Sequence, residues 1–264
     1  MSNDYFADYH VHTNHSVDSR YKMEKVVKDG IKRGIDEICF TDHVDYPFIN
    51  CLPDFDRYFA EIEEMQAKYG SRIMIKKGLE FGAQTHTITQ YKVVVKSHPM
   101  DFIILSVHQV GDKGFWNGEY QRGKTKSECV HDYYQEMLDL INMYNDYSVL
   151  GHFDLIRRYV ETPEPVLADS YDKIADILKT IIKKDRGIEL NTSHVRYGLH
   201  DWMPAWDILE LYHDLGGKII TIGSDSHKKD HLGFYIKEGR ELLKEIGFTE
   251  FCTFDKMQPK FHKL

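Results

Sequence analysis

Six short clusters of histidine and carboxylate residues punctuate this chain. They are His10-Val-His12 with Asp18 just beyond, Thr41-Asp42-His43, Gly78-Leu79-Glu80, Ser106-Val107-His108, Gly151-His152-Phe153-Asp154 and Gly223-Ser224-Asp225-Ser226-His227. Nearly all of them close a short apolar, β-like run. Imidazole mixed with carboxylate is the donor set of zinc, manganese or iron rather than the all-oxygen set of calcium. His10 and His12 are two apart on a strand, so both side chains face one way and can chelate one ion. Glu80 ends a mostly apolar strand, where a lone charge is costly and must be paired or bound to metal; its two oxygens can also bridge two cations. Taken one at a time these residues have plainer readings. H-x-H occurs as a core pair, Asp18 reads as a turn residue with His15 nearer in sequence, His43 reads as a satisfied core histidine, and Asp154 starts a loop as readily as it backs a ligand. Taken together, His10, His12, Asp18, His43, Glu80, His108, His152, Asp225 and His227 exceed what one ion needs. The set predicts two to three divalent metal ions (Zn, Mn or Fe), whose combined charge makes water acidic and clamps phosphoryl oxygens.

The elements that must position these residues follow from hydrophobic periodicity. Strand-like runs cover Tyr5–Val11, Glu37–Thr41, Ile73–Leu79, Phe102–Val107, Ser148–Leu150, Gly187–Asn191 and Ile219–Gly223, with Glu250–Phe254 as a possible eighth. Helical patterns separate them. Met23, Val26, Val27, Gly30 and Ile31 share one face, as do Tyr134, Met137, Leu138 and Ile141 in a helix over Lys126–Met143. Tyr171, Ile174, Ala175, Leu178, Ile181 and Ile182 make a third, and Asp54 is placed to cap a helix running to Tyr69. Alternating strands and helices predict an α/β protein with a parallel sheet. Seven or eight units favour a barrel over a doubly wound sheet, and a parallel barrel carries its active site at the strand C-terminal ends, where the clusters lie. No linker divides residues 1–264, so a single domain is expected. Val110–Thr125, with Phe115 and Trp116, and Tyr159–Asp169 read as loop excursions that set substrate choice.

In this order, H-x-H-T…S-x-D, T-D-H, G-L-E, S-V-H, G-H-x-D and G-S-D-S-H resemble the polymerase-and-histidinol-phosphatase (PHP) family, most of all its stand-alone histidinol-phosphatase branch. The resemblance runs from His10 to His227. It implies a distorted (β/α)7 barrel of PHP type with a trinuclear centre. His10, His12, Glu80 and Asp225 would hold one ion, Glu80 would bridge to a second with His108 and His152, and Asp18, His43 and His227 would hold a third. Some members carry His where Asp18 stands, which bears on the occupancy of that third site.

Arg157 and Arg158 directly follow the G-H-F-D cluster, and Arg196 follows Asn191-Thr-Ser-His194 at the next strand end. Arginine forks bind phosphate bidentately, so Arg157, Arg158 and Arg196 form a candidate clamp, with one of the adjacent pair facing solvent. His194 is a further substrate-contact candidate, and Glu189 and Asn191 share a strand face that is open to the barrel interior. A hydroxide shared between two metals would attack phosphorus, and Asp225, His227 or Asp42 would protonate the leaving alkoxide. The remaining histidines, His231 among them, read as ordinary surface or core residues. The resemblance implies hydrolysis of L-histidinol phosphate to L-histidinol and phosphate, in histidine biosynthesis.

An alternative is a PHP phosphoesterase acting on nucleotides or short oligonucleotides. The net charge of −8 argues against a nucleic-acid surface and leaves a small phosphorylated substrate as the expected partner. A metal-dependent amidohydrolase would want a carbamylated lysine where Glu80 stands. An accessory metal-binding module would need a polymerase that is not attached. The four cysteines show no C-x-x-C spacing, which fits a reducing cytoplasm. No run is long and apolar enough to span a membrane, and nothing in the sequence signals an oligomeric state.

Overall fold

The computed structural model describes residues 5–48, 51–160 and 170–264. In chain order the main elements are β1 (Ala7–Val11), α1 (Met23–Arg33), β2 (Glu37–Phe40), β3 (His43–Val44), α2 (Phe55–Tyr69), β4 (Met74–Gly82), α3 (Ile88–Ser97), β5 (Phe102–Ser106), β6 (Gln109–Val110), β7 (Lys113–Gly114) and α4 (Lys126–Met143). Then come β8 (Val149–Leu150), α5 (Tyr171–Lys183), β9 (Gly187–Asn191), α6 (Trp206–Asp214), β10 (Ile220–Gly223), α7 (Ile236–Ile246), β11 (Glu250–Asp255) and β12 (Gln258–Lys263).

Parallel pairing runs β1-β2-β4-β5-β8-β9-β10. The two ends of this order meet. Val11 bridges to Ser226, the His12 amide donates to Ser226 O at 2.8 Å, and the Ser226 amide donates to His10 O at 3.1 Å. The result is a nearly closed seven-strand barrel, distorted at its second strand. β2 pairs with the first half of β4 and stops at Phe40, and β3 resumes the pairing higher up, with His43 opposite Glu80. That break carries His43 onto the rim of the barrel.

The flanking helices form for the reasons their sequences supply. α1 buries Met23, Val26, Val27 and Gly30, and α5 buries Ile174, Ile177, Leu178 and Ile181. Tyr171, expected on that apolar face, is exposed. Asp54 caps α2 by accepting from the Arg57 amide at 3.2 Å. Thr125 and Glu128 close a capping box at the start of α4. The possible eighth strand is β11, but it lies outside the barrel and pairs antiparallel with β12. Its hairpin docks at the N-terminal end of β5, where the Met257 amide donates to Asp101 O at 2.9 Å. The excursion after β5 contains the β6–β7 hairpin. The expected excursion over residues 159–169 lies, from residue 161 onward, outside the described residues.

Candidate metal centre

The barrel brings all nine ligand candidates to the C-terminal ends of its strands. His10 and His12 point inward from β1 and are fully buried, as is Glu80 on β4. His43 comes from β3, and His108, His152, Asp225 and His227 follow β5, β8 and β10. Asp18 folds back over them from the loop after β1, with its carboxylate half exposed. His15, its rival in sequence, pairs instead with Glu61 at 2.8 Å.

Glu80 is the hub, and its two oxygens face different neighbours. Oε2 lies 3.1 Å from His10 Nε2, 3.5 Å from His12 Nε2 and 3.0 Å from His43 Nδ1. Oε1 lies 2.7 Å from His152 Nε2 and 3.1 Å from His108 Nε2, and it accepts from Ser106 Oγ at 2.8 Å. Asp225 Oδ1 completes the first group, 3.9 Å from His10 Nε2 and 3.7 Å from His12 Nε2. Asp18 Oδ2 spans 3.0 Å to His227 Nε2 and 3.5 Å to His43 Nε2.

These contacts suit cations better than they suit one another. His10 commits Nδ1–H to Glu189 at 2.6 Å, so in the neutral ring its Nε2 presents a lone pair to the Glu80 carboxylate. His108 commits Nδ1 to Asp45 at 2.7 Å, which leaves its Nε2 facing His152 Nε2 at 3.4 Å. His12 Nε2 is buried without a hydrogen-bond partner. Converging acceptors at such separations match the roughly 3.3 Å edge of a tetrahedral site with bonds of about 2.0–2.1 Å. Four triads can each surround an ion: His10/His12/Asp225, His10/Glu80/His152, His12/His43/His227 and His43/Asp45/His108. The last contains Asp45, which is not among the nine candidates; its position two beyond His43 is the one sequence signal for it.

The electrostatics follow from packing these groups without water. Burial pushes the Glu80 carboxyl up, but His10, His108 and His43 outweigh it and hold the group well below the usual carboxylate range. Burial opposes charge on His10, but Glu189 and Glu80 prevail and raise it. His108 rises to about 9 against its burial because Asp45 and Glu80 flank it. His12 goes the other way: burial and then the neighbouring His227, His43 and His10 rings hold it well below an ordinary imidazole, so it is neutral. The site therefore packs carboxylates against imidazoles so closely that a bound cation would take the place of the protons that now balance their charge.

Above the centre opens a cavity of about 790 Å³ whose walls include Arg158, Tyr197, Trp116, Phe115, Tyr159 and Arg20. Here the structure separates the adjacent arginines. Arg157 turns away and donates to Asp154 at 2.7 Å and Trp202 O at 2.9 Å, so its place in the clamp does not hold geometrically. Both lie in a 3-10 turn, Leu155–Arg158, in which successive side chains diverge by about 120°. Arg158 lines the cavity, stacks 3.9 Å over Tyr197, donates to Ser193 Oγ and to Asp225 Oδ2 (3.3 Å), and keeps a buried Nε without a partner. Arg196 is not on the cavity wall; its Nη2 bonds Ser224 O at 2.8 Å and Asp225 O at 2.9 Å and so holds the Asp225 turn, while its buried Nη1 is left without a hydrogen-bond partner. His194 packs on Trp202 and is likewise off the cavity wall; burial and the nearby arginines lower it to about 4.

Asp42, an acid candidate, has its carboxylate filled by the Thr13 amide (2.7 Å), Thr13 Oγ1 (2.9 Å) and Ser16 Oγ (2.7 Å). It braces the loop that carries Asp18 and does not reach the cavity. Asp225 and His227 do line it. So does His231, expected to be an ordinary histidine. Behind the ligands, Asp154 anchors Arg157 and the Ala205 amide, and Glu189 backs His10.

The comparisons with known proteins converge on the same architecture. The histidinol-phosphatase of Lactococcus lactis is 34% identical over 258 residues, covering 95% of each chain. A probable histidinol-phosphatase of Clostridium acetobutylicum is 29% identical over 96% of this chain and 98% of its own. The crystal structure of histidinol phosphate phosphatase from L. lactis, complexed with zinc, L-histidinol and phosphate, superimposes with a TM-score of 0.87 over 97% of this chain and 99% of that one, at 34% identity. The PHP domain family matches residues 8–193. With its seven-strand barrel, its ring of strand-end histidines and carboxylates and these relatives, the chain belongs to the PHP family.

Proposed function

We propose that this chain hydrolyses L-histidinol phosphate to L-histidinol and inorganic phosphate. The observation that carries this reading is the position of Glu80, whose separate oxygens serve two histidine groups at the floor of a cavity walled by Arg158 and aromatic rings. His10, His12, Glu80 and Asp225 would hold one divalent ion, Glu80 with His108 and His152 a second, and Asp18, His43 and His227 a third. The nitrogen and oxygen donors suit zinc, manganese or iron. Bound there, such ions supply the charge that polarises phosphoryl oxygens and makes water acidic enough to act as a nucleophile at neutral pH.

The chain's own residues orient the substrate. Arg158 offers its free Nε to the phosphate, held in aim by Tyr197 and Ser193. As water adds to phosphorus, the bond to the histidinol oxygen breaks and that oxygen needs a proton. Asp225 and His227 both line the cavity, but each is a ligand in this reading, and although burial pushes the Asp225 carboxyl up, His10, His227 and Arg158 hold it well below the usual range; the proton for the leaving oxygen is the one the attacking water gives up. The imidazole and ammonium of the substrate lie toward the aromatic wall. Tyr197 is covered on one face by Arg158, whereas Trp116 is 54% exposed and packed edge to face with Phe48 at 5.7 Å. An indole face left open attracts cations and planar rings. A cytoplasmic biosynthetic role accompanies this reading.

The test is to purify the protein, quantify its metal and measure phosphate release from histidinol phosphate beside nucleoside monophosphates and an aryl phosphate. Metal-dependent turnover that favours histidinol phosphate is expected. Much faster nucleotide turnover, or activity that survives complete metal removal, would overturn the reading.

A further inference from the structure

We infer that Glu189 is a positioning residue for the metal centre: it fixes the ring tautomer of His10 and, through the same carboxylate, ties His10 to the backbone of His152. This rests on the metal-centre reading above. Glu189 lies midway along β9, fully buried, and is not on the cavity wall, so it does not contact substrate. Its Oε1 accepts from His10 Nδ1 at 2.6 Å. Its Oε2 accepts from the His152 amide at 2.8 Å and from Asn191 Nδ2 at 3.2 Å. One side chain thus holds a ligand candidate from β1 and another from the loop after β8, on both sides of Glu80.

Two further observations show that the barrel is built around this carboxylate. His152 has φ +21°, a conformation that L residues rarely adopt, and the Glu189 bond to its amide pins that turn. Gly223 is required by close approach: a Cβ there would overlap Glu189 Oε1 and His10 Cβ. A carboxylate sealed from water needs hydrogen-bond donors, and Glu189 takes them from the His10 ring, whose far nitrogen faces Glu80, from the His152 amide and from Asn191. Accepting from Nδ1–H leaves the Nε2 lone pair directed at the centre and makes the ring a stronger donor.

The test uses Glu189→Gln and the unaltered protein. The amide can still accept from His10, but its NH2 then meets the His152 N–H, so both bonds cannot be kept. We expect a folded variant whose affinity for zinc, measured by chelator competition, falls about 10–100-fold, with faster loss of zinc to the chelator. In the zinc-loaded wild type, 15N-edited NMR should find His10 protonated on Nδ1 with a proton protected from solvent exchange. His10 protonated on Nε2 would overturn the inference, as would a folded variant that keeps wild-type zinc affinity. Should the variant not fold, the wild-type tautomer decides alone. A wild type that binds no zinc would instead refute the metal-centre reading itself.

Discussion

Replacing Arg157 and Arg158 separately by alanine should damage the protein in two different ways. Arg158 keeps an unpartnered Nε and lines the cavity. A hydrogen bond to a charged group contributes about 1.5–3 kcal/mol. Two such bonds to a phosphate give about 3–6 kcal/mol, which at about 1.4 kcal/mol per decade is a loss of roughly 10²–10⁴ in kcat/KM. Arg157→Ala removes no substrate contact but leaves Asp154, which is 0% exposed, without its cation. Breaking a buried pair in this way costs about 3–5 kcal/mol, and at about 2–4 °C per kcal/mol the melting temperature should fall by roughly 6–20 °C. Steady-state phosphate release, thermal unfolding and metal content are measured on both variants, since Arg158 also touches Asp225 at 3.3 Å. Loss of kcat/KM in the Arg157 variant with an unchanged melting temperature, or an Arg158 variant with wild-type kinetics, would refute the assignment of the two side chains.

Three further outcomes follow from the same geometry. In the metal-free protein, burial opposes charge on His10, His43 and His108 but the neighbouring carboxylates outweigh it and raise all three, the last to about 9, so protons compete with zinc for these rings. Zinc affinity should therefore fall as pH falls, and the calorimetric heat of binding should vary with the ionisation enthalpy of the buffer; buffer-independent heats would contradict this. Asp18→Asn weakens only the group it shares with His43 and His227, so bound metal should drop by about one ion per chain while the Glu80 groups stay loaded; an unchanged metal count would remove Asp18 from the ligands. Trp116→Ala should raise KM for histidinol phosphate by about tenfold, the value of an aromatic contact of roughly 1–1.5 kcal/mol, with little effect on a small aliphatic phosphate ester. Equal effects on both substrates would assign Trp116 a purely structural role.

Much of the architecture was legible because periodicity and punctuation are local. The apolar runs ending at Val11, Leu79, Val107, Leu150, Asn191 and Gly223 fall on barrel strands, and although β4 continues past Glu80 to Gly82 and β5 ends at Ser106, the polar donors stand at or next to the strand ends. β11 was visible as a strand but not as one half of a hairpin outside the barrel, since a short run does not declare which edge it will join. The motif set names Asp18 over His15, but the physical reason for that choice is not local. Both follow His12 closely, and only the folded loop sends His15 to Glu61 on α2 and Asp18 back to His43 and His227.

The buried carboxylates behind the ligands were harder still. Glu189 shares with Asn191 a strand face that is open to the interior, and Asp45 has only its place two beyond His43 to mark it, because a residue that holds a ligand from behind stands at no fixed distance from its partner. Its partner lies 179 residues away for Glu189 and 63 for Asp45. By itself, then, the sequence determined the order of the seven barrel strands, the donor chemistry and the end of the barrel on which the donors stand, since each depends on neighbours a few positions apart. The tertiary structure alone decided which oxygen of Glu80 faces which histidines, which arginine reaches the cavity and which buried acids support the ring. Those outcomes depend on barrel closure and on the direction of individual side chains, where a single step along a tight turn is enough to point Arg157 at Asp154 and Arg158 at the cavity.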